Sequence, residues 1–110
     1  MIEITLFYQE KILVGIESKG HSGYSERGSD IICSAVSVLM QSLILGLSEI
    51  AKLADLEIKI DEKAPLIAIS WPLEHEDDIS LLTQTTAESL KIIASQNSGF
   101  IRIQTEEIKQ

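Results

Sequence analysis

One long helix organises this chain, and it is predicted by the segment DIICSAVSVLMQSLILGLSEIAKLA, from Asp30 to Ala54. Apolar residues recur at helical spacing throughout the segment. One side of the predicted helix carries Ile32, Val36, Leu39, Leu43, Leu47 and Ile50. Further apolar residues lie around the rest of the helix, and only a narrow polar stripe remains. We therefore expect a central helix, covered by a sheet and by either another helix or a second subunit.

Two strand patterns precede the helix and predict a hairpin. Apolar and polar residues alternate in Met1–Phe7 and again in Ile12–Lys19, with a turn between them at Gln9–Lys11. The segment Gly20–Ser29 follows, which is rich in glycine and serine and has almost no apolar residues. We expect it to form a long loop, and such loops in compact domains are usually functional or disordered.

The second half of the chain contains three further strand patterns and a second helix. Strands are predicted at Leu56–Ile60, Leu66–Trp71 and Phe100–Thr105, and a helix opens at the acidic run Glu74–Asp78 and ends near Asn97–Gly99. The order ββαββαβ predicts a two-layer α+β fold, with helices packed on one face of a mixed or antiparallel sheet. With 110 residues, 45% of them hydrophobic, we expect a single domain over residues 1–110.

Composition limits the possible partners. The net charge of −8 argues against direct nucleic-acid binding, which needs lysine and arginine on phosphates. The negative charge either merely keeps the protein soluble or attracts a basic partner. Ser, Gln, Glu and Lys interrupt the apolar stretches, so no membrane span is predicted, and the N-terminus lacks the features of a signal peptide.

The single cysteine limits the chemistry and the compartment. It cannot form an intrachain disulfide, which fits a reducing cytoplasm, and it excludes a paired-cysteine zinc site. His75, in the run EHEDD, could suggest a metal site, but we interpret this run as a solvated helix N-terminus. We expect neither a metal nor an organic cofactor.

Cys33 and His21 are the candidate catalytic residues. If Asp30 is the N-cap, Cys33 is the third helical residue, where the helix dipole favours a thiolate and free N–H groups could hold an oxyanion. His21 follows an apolar strand and could take a proton and return it to a leaving amine. The alternatives are a small buried hydrophobic cysteine and a polar histidine at a strand end.

Neighbouring residues are candidates for supporting roles. Ser37 lies one helical turn after Cys33, where it could bond the thiolate or substrate, or simply fill a helix groove. Asp30 either caps the helix or orients His21. The loop between the two catalytic candidates could close over a substrate, or be an ordinary surface loop. Its candidate lid residues are Ser22, Gly23, Gly28 and Ser29.

The segments Gly20–Ser22 and GSDIICSAVS, from Gly28 to Ser37, resemble the ribosomal-processing cysteine protease (Prp) family. The family pattern is G-H, a short variable loop, then G-x-D-x-x-C-[AS]-A-[VI]-S. The resemblance implies a cysteine endopeptidase that removes a short N-terminal extension from a bacterial large-subunit ribosomal protein, the twenty-seventh, after apolar and aromatic residues. The ribosomal protein precursor would then be the substrate, which suits an acidic chain.

The same resemblance assigns roles to residues. Cys33 would be the nucleophile and His21 the base, with Asp30 and Ser37 as supporting residues. The resemblance also implies that the protein forms a homodimer. It implies that the loop after the histidine is mobile over the site. Two other functions stay open. One is a non-catalytic ribosome-assembly adaptor that binds a basic ribosomal protein through the acidic surface. The other is a thiol redox protein, against which the lack of a second cysteine argues.

Overall fold

The computed structural model describes residues 1–20 and 27–109, and in them five strands and two long helices follow the order ββαββαβ. The strands are β1 Ile2–Gln9, β2 Ile12–Lys19, β3 Glu57–Asp61, β4 Leu66–Ser70 and β5 Ile101–Glu107. The helices are α1 Arg27–Leu45 and α2 Glu76–Gln96. The sheet order is β3-β4-β2-β1-β5, with β1 parallel to β5 and the other pairs antiparallel. This mixed sheet confirms the predicted α+β class.

The two faces of the sheet differ in polarity because side chains alternate along each strand. Ile2, Ile4 and Leu6 of β1 are at most 2% exposed, and they belong to the core cluster that the helices complete. The alternate positions, such as Glu3, carry polar side chains on the other face, where Glu3 pairs with Arg102 of β5. The helices therefore form a single layer on one face, as predicted.

The helix α1 contributes one side to the core and leaves the other uncovered. Val36, Met40 and Leu43 are buried against the sheet, whereas Ile31 and Val38 are 69% and 61% exposed. By length and composition alone, the helical stretch from Ile31 to Ile50 is apolar enough to cross a membrane, contrary to the prediction from its interrupting polar residues. The apolar residues on the buried side of α1 pack in the core of the domain, and a helix that packs in a core must be apolar on that side.

The bounds of α1 differ from the predicted ones at both ends. The helix begins at Arg27 rather than Asp30, because a long helix propagates cooperatively into residues of low helix propensity such as Gly28. It ends at Leu45, and a π-helical turn, Gly46–Ile50, continues it. A Cβ at Gly46 would clash with Leu82 Cδ2 of α2, so glycine allows the helices to approach closely there.

The turn between β1 and β2 places two non-glycine residues in the left-handed region. Gln9 pairs with Ile12, so Glu10 and Lys11 form a two-residue turn, with φ of 52° and 67°. Turns of this kind suit the twist of a hairpin but favour Asn-Gly, because a Cβ is unfavourable at positive φ.

We expect Lys11→Gly to raise the free energy of unfolding by about 0.5–1 kcal/mol. Removing the left-handed strain outweighs the extra entropy of glycine in the unfolded chain. Lys11→Ala is the matched control, because it removes the same charge but keeps the Cβ. Urea denaturation of the three proteins measures the difference. An equal gain from both substitutions would assign the effect to the lysine charge instead of the backbone.

Candidate active site

Cys33 lies in the second turn of α1, on the side of the helix that faces the sheet. It is a free thiol, half-buried, and it packs against the core cluster. Since α1 begins at Arg27, the backbone N–H of Cys33 falls within the helical hydrogen-bond ladder. The prediction that free N–H groups lie at the third helical position, beside Cys33, is therefore wrong. The N–H groups without a helical partner lie one turn earlier, at the very start of α1.

Ser37 follows Cys33 by one helical turn and is also half-buried. The regular helix places both residues on one side, as the spacing predicted. Ile44 lies on this side too and packs against the same core cluster as Cys33. We call this side of α1, defined by Cys33, Ser37 and Ile44, the cysteine flank.

The cysteine flank points away from α2. The opposite flank of α1 carries Ala35 and Leu39, which share an open groove with Ile92 and Ile93 of α2. The sheet extends beyond α1 on the cysteine side, because α1 contacts β4 while α2 contacts β5 and β2. The thiol is therefore on the side of the helix that overlooks the β4–β3 part of the sheet.

The position of Cys33 along the sheet follows from the direction of the helices. The α2 helix ends at Gln96, and Phe100 then accepts a hydrogen bond from the Ile2 N–H at the start of β1. Ile92 and Ile93 of α2 lie beside the N-terminal part of α1, so Cys33 is near the start of β1. The end of β2 at Gly20 is at the same edge, because Glu3 pairs with Lys19. We call this the Gly20 end of the sheet.

Gly20 fixes the point at which the chain leaves the sheet. Its φ is +84°, and a Cβ there would lie 2.7 Å from the Met1 carbonyl oxygen. Its N–H donates a hydrogen bond of 2.8 Å to the Pro65 carbonyl. Only glycine combines this backbone conformation with this close approach. Sequence reasoning gave Gly20 no role beyond the motif, although a glycine directly before the candidate base His21 was the available signal.

Several predicted site residues either lie outside the described part of the chain or differ from their predicted place. His21, Ser22 and Gly23 lie outside the described residues. Gly28 and Ser29 are in the first turn of α1, so the predicted lid does not extend to residue 29. Asp30 is the fourth residue of α1, so its predicted place as N-cap is wrong. The earlier start of the helix is the common reason for the differences at Gly28, Ser29 and Asp30.

A second group of polar residues lies at the other end of the sheet. His75 Nε2 is 2.9 Å from the Asp55 carboxylate, and this hydrogen bond holds the Asp55 pKa below its usual value. Glu74 completes the group, with possible ligand atoms within 4.8 Å of one another. Exposed acidic groups of this kind are common without a metal. His75 thus contacts the Asp55 carboxylate at the start of α2, at the opposite end of the sheet from Cys33.

Comparisons with known proteins give one family match and several solved structures of the same fold. The family described as "Cysteine protease Prp" matches residues 1–102. No curated protein matches the chain significantly. The chain is similar to the crystal structure of SMU.848 from Streptococcus mutans, with 26% identity, a TM-score of 0.86, and coverage of 98% of this chain and 96% of that one.

Two further structures show the same fold at lower identity. They are of an essential ribosomal processing protease Prp from S. aureus, one in complex with a substrate peptide and one with a covalently linked product peptide. Their identities are 20% and 21%, and their TM-scores are 0.81 and 0.80. Each match covers 96% of this chain and 100% of the other. From the family match over nearly all its length, together with this shared fold, the chain belongs to the cysteine protease Prp family.

Proposed function

We propose that the protein is a cytoplasmic cysteine endopeptidase, comprising one domain over residues 1–110, that acts in ribosome maturation. Its substrate is the precursor of the twenty-seventh protein of the bacterial large ribosomal subunit, from which it removes a short N-terminal extension. The observation that carries the proposal is Cys33, the sole cysteine, which lies half-buried on α1 within the segment that resembles the family motif. The net charge of −8 suits a basic protein substrate.

The proposed chemistry is acyl transfer through a Cys33–His21 dyad. The Cys33 thiolate attacks the carbonyl carbon of the scissile peptide bond and forms a tetrahedral intermediate. His21, which has taken the thiol proton, returns it to the leaving amine as the carbon–nitrogen bond breaks. Water, activated by His21, then hydrolyses the thioester and releases the extension. The chemistry needs no cofactor.

Asp30 and Ser37 are proposed as supporting residues. Ser37 shares the cysteine flank, which puts its hydroxyl on the side of the helix where the substrate carbonyl must approach. Asp30 comes three residues before Cys33, in the first turn of α1. A positioning role toward His21 is proposed for it, in place of a cap.

We also propose a homodimer. The exposed side of the helix layer is apolar, with Ile31, Val38 and Ile92 more than half exposed around the groove between α1 and α2. A second copy would cover this apolar surface, which is unusual for a monomer. Sedimentation velocity at micromolar concentration distinguishes the dimer from a monomer of 12.2 kDa.

The direct test incubates the protein with the ribosomal protein precursor encoded in the same genome. We expect one cut that removes the extension, read by intact mass and N-terminal sequencing. A precursor already lacking the extension is the control, and we expect no cut in it. If the precursor binds tightly but keeps its extension, the protein is a non-catalytic adaptor and the protease function is wrong.

A further inference from the structure

The point at which the chain leaves β2 is held from both sides. β2 lies between β1 and β4, and its last residue is Lys19. On the β1 side, the next residue, Gly20, approaches the Met1 carbonyl so closely that a Cβ would lie 2.7 Å from that oxygen. On the β4 side, its N–H donates a hydrogen bond of 2.8 Å to the Pro65 carbonyl. The backbone directly before the proposed base is therefore held by the segments next to both neighbouring strands.

The hydrogen bond from Gly20 is the last one between β2 and β4. Lys19 pairs with Leu66 in antiparallel register, so Gly20 lies opposite Pro65. Proline has no N–H and cannot return a hydrogen bond to the Gly20 carbonyl. The attachment of Gly20 to this side of the sheet thus relies on the Pro65 carbonyl, which belongs to the turn between β3 and β4.

The β3–β4 turn is shaped by the side chain of Asp61, the last residue of β3. Its Oδ1 accepts hydrogen bonds from the N–H groups of Lys63, at 2.9 Å, and of Ala64, at 3.3 Å. An aspartate that accepts from the backbone two residues further on replaces a backbone turn and sets the path of the chain. The carboxylate therefore directs this turn back towards β4.

Asp61 reaches Gly20 through the turn. The carboxylate holds the backbone of residues 63 and 64, the next residue is Pro65, and the Pro65 carbonyl accepts the Gly20 N–H. Asp61, Pro65 and Gly20 also line one open hollow at the Gly20 end of the sheet. All three residues are exposed, so this series of contacts is separate from the hydrophobic core.

We infer that Asp61 is a positioning residue for the proposed base His21 and that it acts through the β3–β4 turn and the Gly20–Pro65 hydrogen bond; this inference rests on the proposed function. The amide nitrogen of His21 is bonded to Gly20, so the Gly20 backbone sets the point from which residue 21 starts. A general base must lie within hydrogen-bond reach of the proton that it takes, and a displacement of about 1 Å can lower a rate about a hundredfold.

The kinetic test compares Asp61→Ala with Asp61→Asn. Alanine removes both hydrogen bonds of the turn, whereas the side-chain oxygen of asparagine accepts them as aspartate does. We expect Asp61→Ala to lower kcat for the precursor about tenfold with KM unchanged, and Asp61→Asn to keep the wild-type kcat. Glu62→Ala is the matched control, because Glu62 is an exposed acid of the same turn and its side chain makes neither of these bonds. We expect wild-type kcat for it.

The pH profile separates position from charge. If the negative charge of Asp61 acted on the His21 imidazole, Asp61→Ala and Asp61→Asn would both move the neutral limb of the profile, because both substitutions remove the charge. A positioning role predicts a lower plateau for Asp61→Ala alone, with the limb at the same pH as in the wild type.

A second measurement is independent of turnover. Hydrogen exchange of the Gly20 amide, resolved by NMR, reports on its bond to Pro65. We expect exchange at least about fivefold faster in Asp61→Ala than in the wild type, and unchanged in Asp61→Asn and Glu62→Ala. The Trp71 amide is the internal reference, because it donates to the Val14 carbonyl at the other end of the β2–β4 pair.

The outcomes separate the inference from the proposed function. Equal exchange of the Gly20 amide in the wild type and Asp61→Ala overturns the link between the turn and Gly20. Faster exchange with an unchanged kcat overturns the positioning role, and so does an equal loss of kcat in Asp61→Ala and Asp61→Asn. A precursor that the wild type leaves uncut overturns the protease function, and the positioning role with it. Thermal unfolding of each variant verifies that folded proteins are compared.

Discussion

Replacing Cys33 with alanine is expected to lower the cleavage rate at least a thousandfold, to the level of the background reaction. The thiolate is the group that forms the covalent bond, and loss of a nucleophile removes most of the rate enhancement that such enzymes provide. Cys33→Ser should be equally inactive, because a serine hydroxyl is far harder to deprotonate. Both variants should keep their fold, since Cys33 is only half-buried.

The matched control for this experiment is Ser34→Ala, the next residue on α1. Ser34 is exposed and lines the groove with α2, away from the cysteine flank, so we expect wild-type turnover. Iodoacetamide labelling of the wild type at neutral pH gives a separate readout, and rapid modification of Cys33 is expected. An active Cys33→Ala variant would remove the protease function, and an unfolded one would make Cys33 a structural residue.

Loss of the candidate base has the second largest expected effect. His21→Ala should lower kcat at least about a hundredfold, the usual contribution of a general base. Its pH profile should also lose the limb near neutrality, where an imidazole titrates. Steady-state kinetics of both proteins between pH 5 and pH 9 measure the rate and the profile together.

The chain offers a matched control for His21, because it contains only one other histidine. His75 is paired with Asp55 at the far end of the sheet from Cys33. We expect His75→Ala to keep both the turnover and the neutral pH limb of the wild type. Equal kinetics for His21→Ala and the wild type would leave His21 as a strand-end residue and assign proton transfer to another group.

The strands were predictable because apolar and polar residues alternate along them at every second position. The bounds predicted for β2, Ile12–Lys19, are those of the structure. The start of α1 was not predictable in the same way, since Gly28 and Ser29 have low helix propensity and their helical state depends on the helix that follows. The close approach of the two helices at Gly46 was not predictable either, because the residue that a Cβ there would meet, Leu82, lies on another element.

The candidate site, like the fold, was predictable from the sequence only in part. Helical periodicity predicted that Cys33 and Ser37 share one side, and the structure confirms this. The exposure of the apolar side chains of β3 was not predictable, because Ile58 and Ile60 alternate with charged residues like the residues of any half-buried strand. Alternation gives the residues that share a face, but the extent of the helix layer depends on where α1 packs across the sheet.

The parallel pairing of β1 with β5 has a consequence for synthesis of the chain. β1 is made first, yet it lies inside the sheet, with Ile2 to Tyr8 paired to Ile101 to Glu107. One edge of β1 therefore stays unpaired on the nascent chain until translation has passed residue 107. Open strand edges of this kind are sites of aberrant pairing with other chains, and contacts this distant in sequence form slowly. Pairing of β1 with β5 is thus a late step of folding, because it has to wait for the fifth strand of the sheet.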